Sequence, residues 1–194
     1  MRFELALATF LLLSPAFAAQ KQHNDAFTAG PASESPLARQ VRHKLLTLPY
    51  YSIFDDLAFQ VTPDGVVTLQ GACPPEPPWD IKSEAENAVK RVPGVTQVIN
   101  QIKVLPLSPM DWQIRRAEAR AIYGDAEIGT RYGYQALPSI HIIVENGHVT
   151  LDGVVDNTFD DTLIRTRANA VPNVFSVTDN LVVLNQNKKP AERD

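Results

Sequence analysis

The chain has 194 residues, of which 44% are hydrophobic and 21% charged, and its formal net charge is −4. This is a globular composition with room for one medium domain or two small ones, and the acidic balance excludes bulk electrostatic binding of a polyanion such as nucleic acid. Cys73 is the single cysteine, so no intrachain disulfide can form and the fold must rest on packed cores.

Residues 1–18 read as a secretory signal peptide. Arg2 gives a weakly positive start, Leu5 to Leu13 form an apolar run, and Ala16-Phe17-Ala18 is a small-x-small cleavage pattern with the cut before Ala19. The run is shorter than the ~20 residues that a membrane-spanning helix needs. The mature chain is therefore expected to be soluble and to reach the periplasm or the exterior. Residues 19–35 are polar and small, with Gly and Pro but no periodicity, and are expected to be a disordered linker. The tail over 186–194 reads the same way.

Between these ends every element is expected twice. Ser35-Pro36 and Ser108-Pro109 are helix starts, with Ser as the N-cap and Pro at the first helical position. Leu37, Val41, Leu45 and Leu48 line one face of the first helix; Met110, Ile114, Ala117 and Ala121 line one face of its counterpart. Pro49 and Gly124 close them. Hairpins follow. Leu57, Phe59 and Val61 alternate before the turn "TPDG", and Ile140, Ile142 and Val144 before "ENG". The return strands share a heptapeptide, "GVVTLQG" at 65–71 and "GHVTLDG" at 147–153. An Asn146-Gly147 turn sets Val144 opposite Val149 and Ile142 opposite Leu151, so that one face is apolar. Gly71 and Gly153 are expected to let the chain leave the sheet.

A second helix follows in each copy. Ile81, Ala85, Val89 and Val92 share a face, as do Ile164, Ala168 and Val171, the latter helix opening on a Thr158-x-x-Asp161 capping box. "VPGV" and "VPNV" end them, with Gly94 and Asn173 in left-handed geometry. The last strands carry Val98, Ile102 and Val104, and Val177, Leu181 and Val183. Asn100 and Asp179 interrupt that apolar parity, so a bulge or a late strand start is expected there. The fold class is α+β: two αββαβ modules, over 36–105 and 109–185, each a three-stranded mixed sheet with two helices packed on one face. The connector "LPLSP" is short and stiff, which should keep the modules close.

Helix, hairpin with "GxVTLxG", helix, then "VPGVxxVxNxIxV" resembles the BON domain, in tandem. The resemblance covers both modules. It implies an α/β sandwich, residence in the bacterial cell envelope, and binding of phospholipid membranes or assistance to other envelope proteins. The first copy departs from the pattern with the insert "CPPEPPWD", and the second has Asn173 where the family usually has Gly.

Candidate chemistry is sparse. His141 with Asp152 and His148 with Glu145 form cross-strand pairs on the side away from the helices. They lie about 13 Å apart at ~3.3 Å per residue, too far for one ion with ligands at ~2–2.5 Å. They read as surface pairs, and no metal or other cofactor is expected. The acids of "DNTFDD" (156–161) precede a helix, where capping and the dipole favour them. No nucleophile–base pair is present, so no catalytic residue and no enzyme activity is expected. Basic and aromatic residues on the first helix of the second copy suit an anionic headgroup surface: Trp112, Arg115, Arg116, Arg120 and Tyr123. Tyr132 and Tyr134, in a long Tyr/Gly-rich loop, and Trp79, after the proline insert, suit a protein partner. The expected function is a non-catalytic envelope module that binds anionic phospholipid surfaces, with a maintenance or stress role. The alternative is a chaperone-like module that binds envelope proteins. The oligomeric state is left open.

Overall fold

The computed structural model describes residues 24–26, 34–75, 80–135 and 137–184. The expected signal peptide, the C-terminal tail and Trp79 lie outside the described residues.

The first module runs from β1 (Asn24–Asp25) through α1 (Pro36–Leu46), β2 (Asp56–Val61), β3 (Val66–Cys73) and α2 (Ile81–Lys90) to β4 (Gln97–Asn100) and β5 (Lys103–Val104). The second is α3 (Pro109–Tyr123), a short α4 (Ala126–Ile128) that continues as a π-helical turn over 129–133, β6 (Ile140–Glu145), β7 (His148–Val155), α5 (Thr158–Asn169) and β8 (Ser176–Val183). In each, an antiparallel hairpin is joined by a parallel last strand, which gives the expected mixed sheet. Two elements are extra: α4 with its π-helical turn, where a loop was expected, and β1. Residues 24–26 are not a structureless lead-in: Asn24 and Asp25 pair with Phe59 and Ala58, and Ala26 is fully buried in the first core.

Local chemistry explains most boundaries. Ser35 accepts from the Ala38 N–H and Ser108 from the Asp111 N–H, so both Ser-Pro starts are caps. Asn146 (φ 52°) and Gly147 (φ 79°) form the two-residue turn, and Val144 faces Val149 as the alternation requires. Gly94 (φ 93°) and Asn173 (φ 67°) take the left-handed exits. Three expectations need correction. The cap of α5 is Asn157, whose side chain accepts from the Asp160 N–H, and not Thr158. No bulge lies at Asn100 or Asp179. The pairing offset is unchanged past both residues, although the first module's strand is interrupted over 101–102, and each side chain accepts the N–H two residues on, at Ile102 and Leu181. Gly71 and Gly153 do not end their strands, which continue to Cys73 and Val155. Glycine is required there because a Cβ would sit 2.0 Å from the carbonyl oxygens of Asp56 and Ser139.

The helical faces match for α1, α2 and α5 but not for α3. The buried side of α3 is Asp111, Ile114, Arg115, Glu118 and Ile122. Met110 is 44% exposed. Three ionisable residues occupy the inward stripe, so the apolar spacing pointed to the neighbouring face instead.

The two modules exchange contacts. Ile53 and Phe54, from the loop between α1 and β2, pack on the second core, while Leu137 of the second module packs on the first. The Ile142 N–H on β6 donates to the Ile53 carbonyl at 2.7 Å. His141 lies with Nδ1 2.6 Å from the Asp55 carbonyl and its ring 5.6 Å from that of Tyr51. Phe54 meets Trp112 edge-on at 5.7 Å, and Lys103 pairs with Glu145 at 2.6 Å. Replacement Phe54→Ala should therefore destabilise the whole chain by about 2 kcal/mol, since a half-buried ring is lost from a shared interface. Urea unfolding followed by tryptophan emission checks this. The variant is expected to show a lower midpoint and a red-shifted native spectrum.

Candidate functional site

The orientation of α3 decides which residues the surface offers. Its N-terminus is tied to the second hairpin: the Asp111 carboxylate accepts from the N–H groups of Asn146 (2.9 Å) and Gly147 (2.8 Å). One turn later Arg115 donates to the Val144 carbonyl at 2.5 Å. Asp111 and Arg115 are 1% and 2% exposed, so both act in folding. Arg42 holds the equivalent place on α1. It donates to the carbonyls of Asp25 and Ala26, pairs with Glu34 at 2.8 Å, and lies over the Phe59 ring. Both buried arginines thus serve the edge of their own sheet, and Arg115 is withdrawn from the proposed headgroup-binding set.

With these residues turned inward, the outer face of α3 is Met110, Gln113, Arg116, Ala117 and Arg120. Together with Pro172 and Asn173 after α5 it lines a groove of about 520 Å³. Arg116 and Arg120 are its cations, and no carboxylate lines it. Leu107 (80% exposed), Met110 and Trp112 (37%) stand at the helix start. The first module has a smaller counterpart of about 400 Å³ against Val92 and Pro93, lined by Pro36, Arg39, Gln40, His43 and Lys44. Aligning the two copies at Ser35 and Ser108 brings Gln40 onto Gln113 and His43 onto Arg116, a correspondence that the repeat itself contained. Met110, Pro172 and Asn173 were missed as lining residues because they were read as core or as turn.

The tyrosine-rich segment is ordered. The Tyr132 hydroxyl donates to Asp160 Oδ2 (2.6 Å) and accepts from the Asp156 N–H (2.9 Å); Arg131 binds the same carboxylate. Tyr132 is 3% exposed and cannot meet a partner, which corrects its assignment. Tyr123 is half-buried and donates to the Ile140 carbonyl at 2.5 Å, so its hydroxyl is not available to a headgroup. Tyr134 is 87% exposed and remains the one tyrosine of the segment that is open to a partner.

The other candidates resolve into structure. His141 is buried by the first module, and burial lowers it to about 4, leaving a neutral ring; it is not a surface residue. His148 is exposed beside Ser176. Asp160 is wholly enclosed by the groups just named. Burial and the neighbouring Asp179 push Asp161 up. Cys73 is buried, and its thiol is pushed up to about 12 by that burial, far from the range of a reactive thiolate. Among the described residues no group of three or more His, Cys, Asp or Glu is placed to hold a metal ion, and no helix is long and apolar enough to cross a membrane.

The BON domain family model matches residues 33–106 and 126–185. Two solved structures of CdsD, a structural protein of the type III secretion system of Chlamydia trachomatis, are similar. The first, its C-terminal domain, is 14% identical over 78% of this chain and 99% of that chain, with a TM-score of 0.29. The second is 14% identical over 76% and 92%, with a TM-score of 0.27. No curated relative matches the chain.

Glu118 is the electrostatic anomaly of this site. It is fully buried at the centre of the inward face of α3, neither carboxyl oxygen has a hydrogen-bond partner, and the repeat-related position holds the core residue Leu45. Burial pushes it up from 4.5 to about 8. A folded value above the unfolded one means the stabilising contribution is complete below pH 4.5 and is lost as pH rises through about 8. At pH 7 the loss is on the order of 3 kcal/mol. Replacement Glu118→Leu should raise stability, with a gain that grows from acid to pH 8. Urea unfolding of the wild-type chain and the variant across that range measures it. A gain independent of pH would show that the carboxyl titrates alike in the folded and unfolded chains, against the upward shift.

Proposed function

The chain belongs to the BON domain family, and on that premise we propose that it is a non-catalytic, exported tandem module that binds anionic phospholipid surfaces of the cell envelope through the outer face of α3. The observation that carries this reading is the groove of Arg116 and Arg120, lined by no carboxylate and including exposed Met110, on a helix whose start also exposes Leu107 and Trp112. Cations beside apolar and aromatic side chains match the headgroup region, where charge meets the acyl boundary. Each basic residue near such a surface contributes about 1 kcal/mol, and insertion of Leu107 and Met110 adds apolar burial. Both arginines stand on a helix pinned by Asp111 and Arg115, so no backbone order must be gained on binding.

The competing reading is a module for envelope proteins. Exposed Tyr134, and Val182 (55%) and Leu184 (64%) at the free edge of the second sheet, favour it. Flotation with phosphatidylglycerol and with phosphatidylcholine vesicles separates the two. The expected result is salt-sensitive flotation with the anionic vesicles alone. The double variant Arg116→Glu, Arg120→Glu should weaken it by roughly thirtyfold or more, from a loss of about 2 kcal/mol. Absence of flotation with either vesicle moves the function to a protein partner.

A further inference from the structure

A second groove, of about 680 Å³, lies where the modules meet. It is lined by Ile53 of the first module and Ala119, Arg120, Tyr123, Gly124, Gly133 and Pro138 of the second. Its volume falls within the range of small-molecule sites, which are mostly apolar with a few fixed polar groups. Each wall is set by a contact already described. The Ile53 carbonyl is held by the Ile142 N–H, and the Tyr123 hydroxyl is spent on the Ile140 carbonyl, so that tyrosine offers the groove its ring. Ala119 leaves the groove open. The repeat-related residue of α1 is Leu46, which packs against the first core. Arg120 is the one charged lining residue, and no carboxylate lines the groove.

We propose that this junction groove binds a long-chain carboxylate, its acyl chain along Ile53, Ala119, Tyr123 and Pro138 and its carboxylate on Arg120. One guanidinium suffices for a carboxylate, which it can meet with two parallel hydrogen bonds. The apolar walls take up the chain by ordinary hydrophobic burial. The site exists only in the tandem, because one wall belongs to each module. It shares Arg120 with the proposed lipid-facing surface and extends that reading from a surface contact to capture of a single amphiphile.

The test is displacement of a pyrene-labelled fatty acid from the purified protein by dodecanoate, kept below micelle formation. Saturable one-to-one binding is expected, with dodecyltrimethylammonium at least tenfold weaker. Ala119→Leu, which installs the side chain of the other repeat, should weaken dodecanoate at least tenfold while vesicle flotation persists. Ala119→Ser, which keeps the volume and so the fold, should weaken it several-fold, and Arg120→Gln about tenfold. No dodecanoate binding, equal binding of the cationic amphiphile, or binding unmoved by both Ala119 variants overturns the proposal. Flotation without dodecanoate binding overturns this site alone; dodecanoate binding without flotation supports the site and removes the surface reading.

Discussion

The outer edge of β6 would be an open row of backbone donors and acceptors if the second module stood alone, and such edges invite unwanted pairing. The Ile142 N–H bond to the Ile53 carbonyl covers its middle, the Tyr123 hydroxyl and Arg115 take the Ile140 and Val144 carbonyls on either side, and the other contacts between the modules cluster around the first of these bonds. The loop that supplies Ile53 brings Phe54 onto Trp112, sets the Asp55 carbonyl over His141, and places Tyr51 beside the same ring. In the first module the equivalent edge of β2 is closed by β1. Each hairpin is therefore covered by a segment from earlier in the chain, a short strand in the first module and a turn in the second.

The second constraint is the inward charge of α3. Asp111 and Arg115 replace apolar packing with bonds to backbone groups at the hairpin turn and on β6, which orient the helix. Glu118 has no such bond. Its burial at neutral pH sets a desolvation cost against the hydrophobic gain of Ile114 and Ile122. Glu118 therefore costs α3 stability that α1, with Leu45 in the same place, does not lose. Natural proteins often accept such losses close to functional surfaces.

The two copies have kept the turns and changed the helices. Gly65 and Gly147, Gly71 and Gly153, and Gly94 and Asn173 all hold positive φ, and five of the six are still glycine because a side chain there meets backbone or strain. On the helices, by contrast, Leu45 is matched by Glu118 and Leu46 by Ala119, so the cores differ and the second copy has space beside Ala119. Helical positions tolerate this exchange because their neighbours are side chains, which can adjust.

Much was legible in the chain. Strand period, turn residues and Ser-Pro caps are local effects, and they determined the repeat, the hairpin register and the α+β class with the backbone positions given by sequence alone. The helical face of α3 was not legible, because apolar spacing cannot anticipate charges satisfied by distant carbonyls and turn N–H groups. For that reason Arg115 read as a surface cation and Met110 as core. The tyrosine-rich segment read as a loop because nothing near Tyr132 announces Asp160, which lies 28 residues on and binds it. His141 read as a surface residue because the cover over it comes from 86 residues earlier. The sequence by itself determined the two modules and their secondary structure, through interactions within a few residues. Only the tertiary structure decided which cations face solvent and where the modules enclose space, because burial depends on contacts between segments that no local pattern encodes.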